Sequence, residues 1–227
     1  MGWRVSFIIV SSSASIEDRE LLQRLDFRTP MPIAPEPFEI TCNPPEGQVF
    51  IGAFNGCVLI CAQEIAYESM QYDVAPTEQI LSEIYPDTEI ASFWLLSGTN
   101  SWGYSIVKNG QKIRLRAGNV QELDGLEMES GTPLPEEEEL FAHSILTEGG
   151  SRRYKLDGDT DYEYEEEQVG ENFVFEVAAR YLGCRFDGCD ELLFETELRG
   201  YSYERESDSE LHSKTKPTSQ RSWWKFW

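Results

Sequence analysis

Positive charge is scarce in this sequence. Its 227 residues include 19 Lys and Arg against 41 Asp and Glu, which gives a formal net charge of −22. Proteins that bind nucleic acid place clustered Lys and Arg against phosphates, and clustered cations also attract proteins to anionic membranes. The composition therefore argues against nucleic acid as a ligand, and against an anionic bilayer as a partner for the body of the chain.

The residues and motifs of common catalytic sites are also scarce. His143 and His212 are the only histidines, and neither an H-E-x-x-H motif nor paired C-x₂-C motifs occur. The sequence has no G-x-S-x-G elbow and no glycine-rich phosphate loop after a strand. We therefore expect no metal or cofactor, assign no catalytic residue and lean against an enzyme, although 41 acids leave a carboxylate pair for hydrolysis open.

Long apolar runs are missing too. No stretch approaches the roughly 18 apolar residues of a membrane-spanning helix. The apolar stretch at residues 5–10 is shorter than the roughly 7–15 residues of a signal-peptide core. Five cysteines, an odd number without a framework spacing, favour a reducing compartment. These observations together predict a cytoplasmic protein.

Two Asn-Gly pairs predict tight β-hairpins. Asn55-Gly56 joins residues 49–54 to residues 57–61, and both faces of that hairpin are apolar. We expect it inside a sheet that is covered on both sides. Asn109-Gly110 joins residues 102–108 to residues 111–117. Its predicted register puts Trp102 and Tyr104 on one face and the basic residues on the other, so that only one side is buried.

The remaining elements predict the fold class. Residues 3–10 and 88–96 are predicted strands, and residues 192–198 a last strand or an extended segment. Helices are predicted at residues 77–85, 135–145 and 165–182, whereas the proline-rich residues 28–46 are typical of a loop with a short strand at 38–42. We predict a single α+β domain at residues 1–203. Its central, mostly antiparallel sheet is built from the two hairpins and neighbouring strands and packed by several helices, and a flexible tail follows at 204–227.

Charge is distributed unevenly along the chain. Residues 211–227 carry four cations and no acid, so the body at residues 1–210 carries −26. The densest acidic stretch lies at 157–176, and the tail ends in the aromatic sequence WWKFW. The acids favour a basic protein partner or simply form a solvated surface, and the tail would contact a bilayer, a partner or the acidic face, or have no role. The candidate partner-binding residues are Glu163, Glu165, Glu166, Glu167, Trp223, Trp224 and Trp227.

A small polar segment at residues 97–102 (SGTNSW), called the 97–102 loop below, lies between two predicted buried strands. Loops of this kind present hydroxyls and amides beside aromatic side chains, as ligand sites do, although an ordinary hairpin connection has the same composition. A basic row on one strand follows, which would hold an anionic ligand or pair with the protein's own acids. The candidate ligand-binding residues are Trp94, Ser97, Thr99, Asn100, Lys112, Arg114 and Arg116.

Several segments together resemble an uncharacterised family of bacterial α+β proteins of about 200 residues, the size of one domain. They are the opening Met1-Gly2 strand, GQVFIG at 47–52, SWGYSIVKNG at 101–110, GTPLP at 131–135 and residues 173–183. The resemblance covers residues 1–200 and excludes the aromatic tail. It implies a bacterial, cytosolic, single-domain protein, and no activity or catalytic residue follows from it.

Two hypotheses about function follow. The first is a non-catalytic, acidic protein-binding module of the bacterial cytosol that docks a basic partner, for example an immunity-type protein that neutralises a cationic toxin. The second is a hydrolase or small-ligand-binding protein that uses the 97–102 loop. A deep pocket lined by Trp94, Asn100 and Tyr104 would favour the second hypothesis, and full pairing of the basic row with acids would count against it.

Overall fold

A nine-stranded antiparallel sheet with helices on both faces dominates the structure, a computed structural model that describes residues 2–14, 16–63, 65–119, 128–148, 152–155 and 162–204. The strands of this sheet are β1 (Arg4–Val10), β2 (Arg28–Pro37), β3 (Gln48–Phe54), β4 (Cys57–Ala62), β5 (Glu89–Leu96), β6 (Ser101–Lys108), β7 (Gln111–Gly118), β8 (Met128–Gly131) and β12 (Glu197–Glu204). Their order within this part of the chain is β2-β12-β3-β4-β1-β5-β6-β7-β8. The α+β fold class is confirmed.

Helices and a small second sheet cover the large one. The helices are α1 (Asp18–Arg24), α2 (Phe38–Thr41), α3 (Pro76–Ile84), α4 (Pro135–Ala142) and α5 (Glu166–Leu182). The second sheet is formed by β9 (Ser144–Leu146), β10 (Arg152–Tyr154) and β11 (Tyr164–Glu165). No helix of the described segments is long and apolar enough to cross a membrane. The predicted tail lies outside the described residues, apart from Glu204 at the end of β12.

The first hairpin has the predicted register. Phe54 lies opposite Cys57, and Ile51 lies opposite Ile60. Asn55 and Gly56 have φ values of 47° and 74°, as the tight turn requires. Alternate residues of this hairpin belong to two different core clusters, one on each face of the sheet. Coverage on both sides is therefore confirmed.

The second hairpin departs from the predicted register. Val107 lies opposite Lys112 as expected, but a β-bulge follows, and Ile106 pairs with Arg114 instead of Ile113. A bulge inserts one residue into one strand and thereby reverses the faces of all residues beyond it. The predicted separation of Trp102 and Tyr104 from the whole basic row is therefore wrong, and so is burial on one side only. Trp102 and Tyr104 share their face with Arg114 and Arg116, whereas Lys112 lies on the opposite face.

The proline-rich segment forms a strand and a short helix instead of the predicted loop. Residues 28–37 form β2, an edge strand that pairs with β12, and the predicted short strand at 38–42 is instead the helix α2. Proline lacks the N–H that a central strand needs, but an edge strand requires pairing on one side only. Residues 191–195 form a five-residue helical turn before β12, so that the expected strand at 192–198 begins later.

Helix α5 supplies much of the core on one face of the sheet. Its apolar stripe places Phe173, Val174 and Val177 in the larger core cluster, and the helix ends at Gly183, whose φ is 75°. The predicted helix and its glycine terminus are confirmed. Helices α1 and α3 bury Leu21, Leu22 and Leu81 on the opposite face. The first turns of α5 lie beside the 97–102 loop, which leads from β5 into β6, and Ser97 of the loop is hydrogen-bonded to Glu171 of the helix.

Candidate functional site

The basic row of β7 is paired inside the protein, beginning with Arg114. This side chain is fully buried, and its guanidinium donates to both carboxylate oxygens of Glu137, with Nη2–Oε1 at 2.5 Å and Nε–Oε2 at 3.0 Å. It also donates to Glu129 at 2.9 Å. The hydroxyl of Tyr104 donates to Glu137 at 2.5 Å. A buried charge is tolerated when its hydrogen bonds are satisfied, and here both partners of the pair have several.

Arg116 is paired beneath α5. It forms an ion pair with Glu166, and it donates to the hydroxyl of Tyr154 at 3.1 Å. That hydroxyl in turn donates to Glu166 at 2.6 Å. The guanidinium carbon lies 4.1 Å from the ring centre of Phe173. Glu166 is therefore buried, and it belongs to an internal ion pair rather than to the accessible partner-binding surface that the sequence predicted.

Lys112 is paired on the other face of the sheet. Its Nζ lies 3.2 Å from Glu78 and donates to the carbonyl oxygens of Ser69 and Gln71 at 2.8 and 2.7 Å. The Ser105 hydroxyl also donates to Glu78, at 2.6 Å. All three cations of the predicted basic row are thus neutralised by the protein's own carboxylates. This arrangement matches the alternative of internal pairing, because each cation already has a carboxylate partner.

The buried position of Tyr104 gives a testable pH dependence. Burial and the charge of Glu137 raise its pKa well above the ordinary value near 10. The stabilisation linked to this group is therefore complete below about pH 10 and is lost as the pH rises toward the higher folded-state pKa. In an ultraviolet titration of the folded protein between about pH 9 and 11, we expect Tyr104→Phe to leave the tyrosinate amplitude unchanged. The same variant titrated in urea should lose one of 10 tyrosines; loss of that amplitude in the folded state would contradict the burial argument.

The 97–102 loop is fixed by side-chain hydrogen bonds to distant elements. Ser97 Oγ accepts from the backbone N–H of Trp3 at 3.0 Å and donates to Glu171 of α5 at 2.8 Å. Ser101 Oγ donates to the carbonyl of Asn119 at 2.7 Å, and Asn119 donates to the carbonyl of Thr99. Asn100 has the left-handed backbone that asparagine tolerates, with φ of 51°. The loop is therefore a constrained connection anchored to α5.

A cavity of about 130 Å³ opens between this loop and the first turns of α5. Leu95 and Trp102 form its apolar wall, and the indole N–H of Trp102 has no hydrogen-bond partner within the described segments. Two carboxylates, those of Glu167 and Glu171, face it, and the described residues that line it include no cation. Its lining consists of Leu95, Ser97, Asn100, Trp102, Glu167, Gln168 and Glu171.

The sequence prediction and this cavity overlap in part. Ser97 and Asn100 line it as predicted, but Trp94 and Tyr104 do not. Trp94 packs instead against Tyr67, with ring centres 4.9 Å apart, and Thr99 contacts Ser101 rather than the cavity. Glu171 also lines the cavity but is not among the predicted ligand-binding residues. Its spacing of four residues from Glu167 on a predicted helix was a usable signal, because residues i and i+4 share one helix face.

Further carboxylates surround the start of α5. Glu163 and Glu165 are exposed. Glu163 pairs with Lys155, just after β10, at 3.6 Å, and Glu165 pairs with Arg153 of β10. With Glu167 and the half-buried Glu171 they form what we call the α5 acidic surface (Glu163, Glu165, Glu167, Glu171). Trp223, Trp224 and Trp227 lie outside the described residues. The described segments hold no group of three or more His, Cys, Asp and Glu side chains arranged to bind a metal ion.

A second cavity of about 130 Å³ lies on the opposite face, between α1 and the turn of the first hairpin. Its lining is mainly apolar and includes Ile51 and Val58. The ion pair between Asp18 and Arg199, 2.6 Å apart, lies at this cavity, and no sequence prediction concerned it.

Comparisons with known proteins add no relative. No protein-family model, curated protein or solved structure matches the chain. The resemblance to a bacterial family of α+β proteins stays a prediction.

Proposed function

We propose that this protein is a non-catalytic binding module that docks a basic protein through the α5 acidic surface and the adjoining cavity at the 97–102 loop. The observation that carries the proposal is the lining of that cavity, whose described residues combine two carboxylates with the small accessible parts of Leu95 and Trp102 and include no cation. A Lys or Arg side chain places its aliphatic stem on apolar surface and its charge beside carboxylates. Leu95 and Trp102 offer the first environment, and Glu167 and Glu171 offer the second.

The net charge supports the same partner. The body of the chain carries −26, so its net field is negative, and the cations of β7 are paired internally. Such a field accelerates encounter with cationic proteins and disfavours acidic ones. An immunity-type role in the bacterial cytosol, in which the module neutralises a cationic toxin, is the specific form of this proposal. The alternative of a hydrolase or small-ligand-binding protein loses its anion-binding component, because Lys112, Arg114 and Arg116 are occupied.

Variants in which Gln replaces Glu test whether cation binding depends on this site or only on the total charge of the protein. The probe is a fluorescent peptide of about ten lysines, titrated against the full chain at about 50 mM salt. Two neighbouring charges in water contribute about 1–2 kcal/mol, so we expect Glu167→Gln/Glu171→Gln to weaken binding about tenfold.

The matched control is Glu195→Gln/Glu197→Gln, which removes the same charge from exposed positions before and at the start of β12. We expect this control to weaken binding less than about threefold, and about 500 mM salt to weaken wild-type binding at least about tenfold. Equal losses in both double variants would show that only total charge matters. Binding that ignores salt would also contradict the proposal.

A further inference from the structure

The second cavity, between α1 and the turn of the first hairpin, has the size of a small aromatic ring. Its volume of about 130 Å³ is close to that of an engineered apolar cavity of about 150 Å³ that binds benzene. Leu21 and Ile51, both almost fully buried, line it together with Val58. Exposed residues, among them Ser13 and Gly56, also line it, so a ligand can enter from solvent.

An ion pair supplies the first polar group of this cavity. Arg199 and Tyr201 lie two residues apart on β12 and therefore extend from the same face of the sheet. Both bind the carboxylate of Asp18 at the start of α1. The guanidinium donates to its two oxygens at 2.6 and 2.8 Å, and the tyrosine hydroxyl donates to it at 2.8 Å. The charge of Asp18 is thus balanced, while a carboxylate with about four acceptor positions has one left for a ligand.

Tyr85, which directly follows α3, supplies the second polar group. It lines the cavity and is only 5% exposed. Its hydroxyl has no hydrogen-bond partner among the described residues. Burial and the charge of Asp18 raise its pKa, so the hydroxyl keeps its proton at neutral pH. A buried hydroxyl without a partner is unfavourable, and a ligand oxygen that accepts from it removes this cost.

We propose that this cavity is a binding site for a small neutral phenol. The ring of the ligand occupies the apolar space lined by Leu21, Ile51 and Val58. Its hydroxyl accepts a hydrogen bond from Tyr85 and donates one to Asp18.

Other small aromatic ligands match the site less well. A benzene ring without a hydroxyl leaves Tyr85 without a partner, and an aromatic carboxylate is repelled by Asp18. An ammonium group gains little from a carboxylate whose charge is already balanced. The cavity lies on the face of the sheet opposite the α5 acidic surface, so binding here is independent of binding there.

Fluorine NMR of the full chain at neutral pH tests this assignment. The probe is 4-fluorophenol, and we expect a dissociation constant of about 0.1–1 mM, as is typical of a ligand with about eight non-hydrogen atoms. Fluorobenzene lacks the hydroxyl and 4-fluorobenzoate carries a negative charge, so each should bind at least about fivefold more weakly. Equal or tighter binding of either compound would overturn the assignment to a phenol.

A variant that fills the cavity tests the location. Ala53 is an exposed residue of β3 that lines the cavity, and it extends from the same face as Ile51. We expect Ala53→Phe to weaken binding of 4-fluorophenol at least about tenfold. The matched control is Ala34→Phe, at an exposed position of β2 outside the lining, and its binding should stay within about twofold of wild type.

A second variant tests the hydroxyl contact. Tyr85→Phe should weaken binding of 4-fluorophenol at least about fivefold and leave binding of fluorobenzene unchanged. If Ala53→Phe does not fold, this variant and the three probes decide. No binding of 4-fluorophenol to the wild type below about 5 mM, equal binding by the two Ala→Phe variants, or equal losses for both probes in Tyr85→Phe would overturn the proposal.

Discussion

Replacing Arg114 with Leu is expected to lower the free energy of unfolding by about 3–5 kcal/mol, because the substitution leaves Glu137 buried without its cation. Glu137 would then keep hydrogen bonds from Tyr104 and the N–H of Leu134 but no compensating charge. Urea unfolding followed by tryptophan fluorescence measures the loss.

Two controls accompany this prediction. Arg180→Leu breaks the ion pairs of a partly exposed arginine with Glu89 and Glu136, and it should cost no more than about 1 kcal/mol. The double variant Arg114→Leu/Glu137→Leu removes both buried charges and should recover part of the loss. A single Arg114 variant that unfolds at the wild-type urea concentration would show that the buried pair contributes nothing to stability.

Gly170→Ala is expected to destabilise the protein by about 3 kcal/mol, since α5 and Trp102 are in backbone-to-ring contact at this position. A Cβ atom on Gly170 would overlap the indole nitrogen of Trp102. The ring has little room to move, because Gly118 also approaches it so closely that a Cβ there would come within 2.6 Å of the same nitrogen. Thermal unfolding measures the change. Trp102→Phe in the Gly170→Ala background should restore part of the stability by removing the overlapping ring.

Gly188→Ala is the matched control, because no atom lies within 4 Å of the Cβ position there. We expect its effect to stay within about 1 kcal/mol. If Gly170→Ala and Gly188→Ala unfold at the same temperature, the close approach of α5 to the sheet is wrong.

The two hairpins show what sequence can and cannot determine about register. The Asn55-Gly56 turn and the alternation of its flanking residues predicted every pair of the first hairpin, because turn and strands agree. The same reasoning failed three residues beyond Asn109-Gly110, at the bulge around Ile113. The bulge lets Arg114 reach Glu137 of α4, and a partner that distant in the chain leaves no trace in a local pattern.

The prolines of β2 misled the sequence analysis for a related reason. Proline lacks the N–H that a strand with two neighbours needs, so a proline-rich segment is normally assigned to a loop. As an edge strand, however, β2 forms hydrogen bonds with β12 alone. Whether a strand lies at an edge depends on the order of the whole sheet. That order is a tertiary property, and no local composition encodes it.

The site was predictable to a similar degree. The 97–102 loop was correctly placed between two buried strands, because its small polar residues interrupt apolar runs. Helical periodicity also places Glu166 and Glu167 on different faces of α5. Glu166 lies in line with Phe173, seven residues on, and is buried with it. Glu167 lies in line with Glu171, and both line the cavity. The contact between α5 and the loop joins residues more than 70 positions apart, and only the fold reveals it.

Because of the bulge in β7, cations of this one strand form ion pairs with helices on both faces of the sheet. Lys112 is tied to α3 on one side of the sheet, and Arg114 and Arg116 are tied to α4 and α5 on the other. Strands near a sheet edge ordinarily fray first and exchange their amide hydrogens early. Here the strand next to the edge cannot detach without exposing three desolvated ion pairs, so both layers must come apart with it. We therefore expect β7 to belong to the cooperative unit that opens last, even though it lies next to the edge of the sheet.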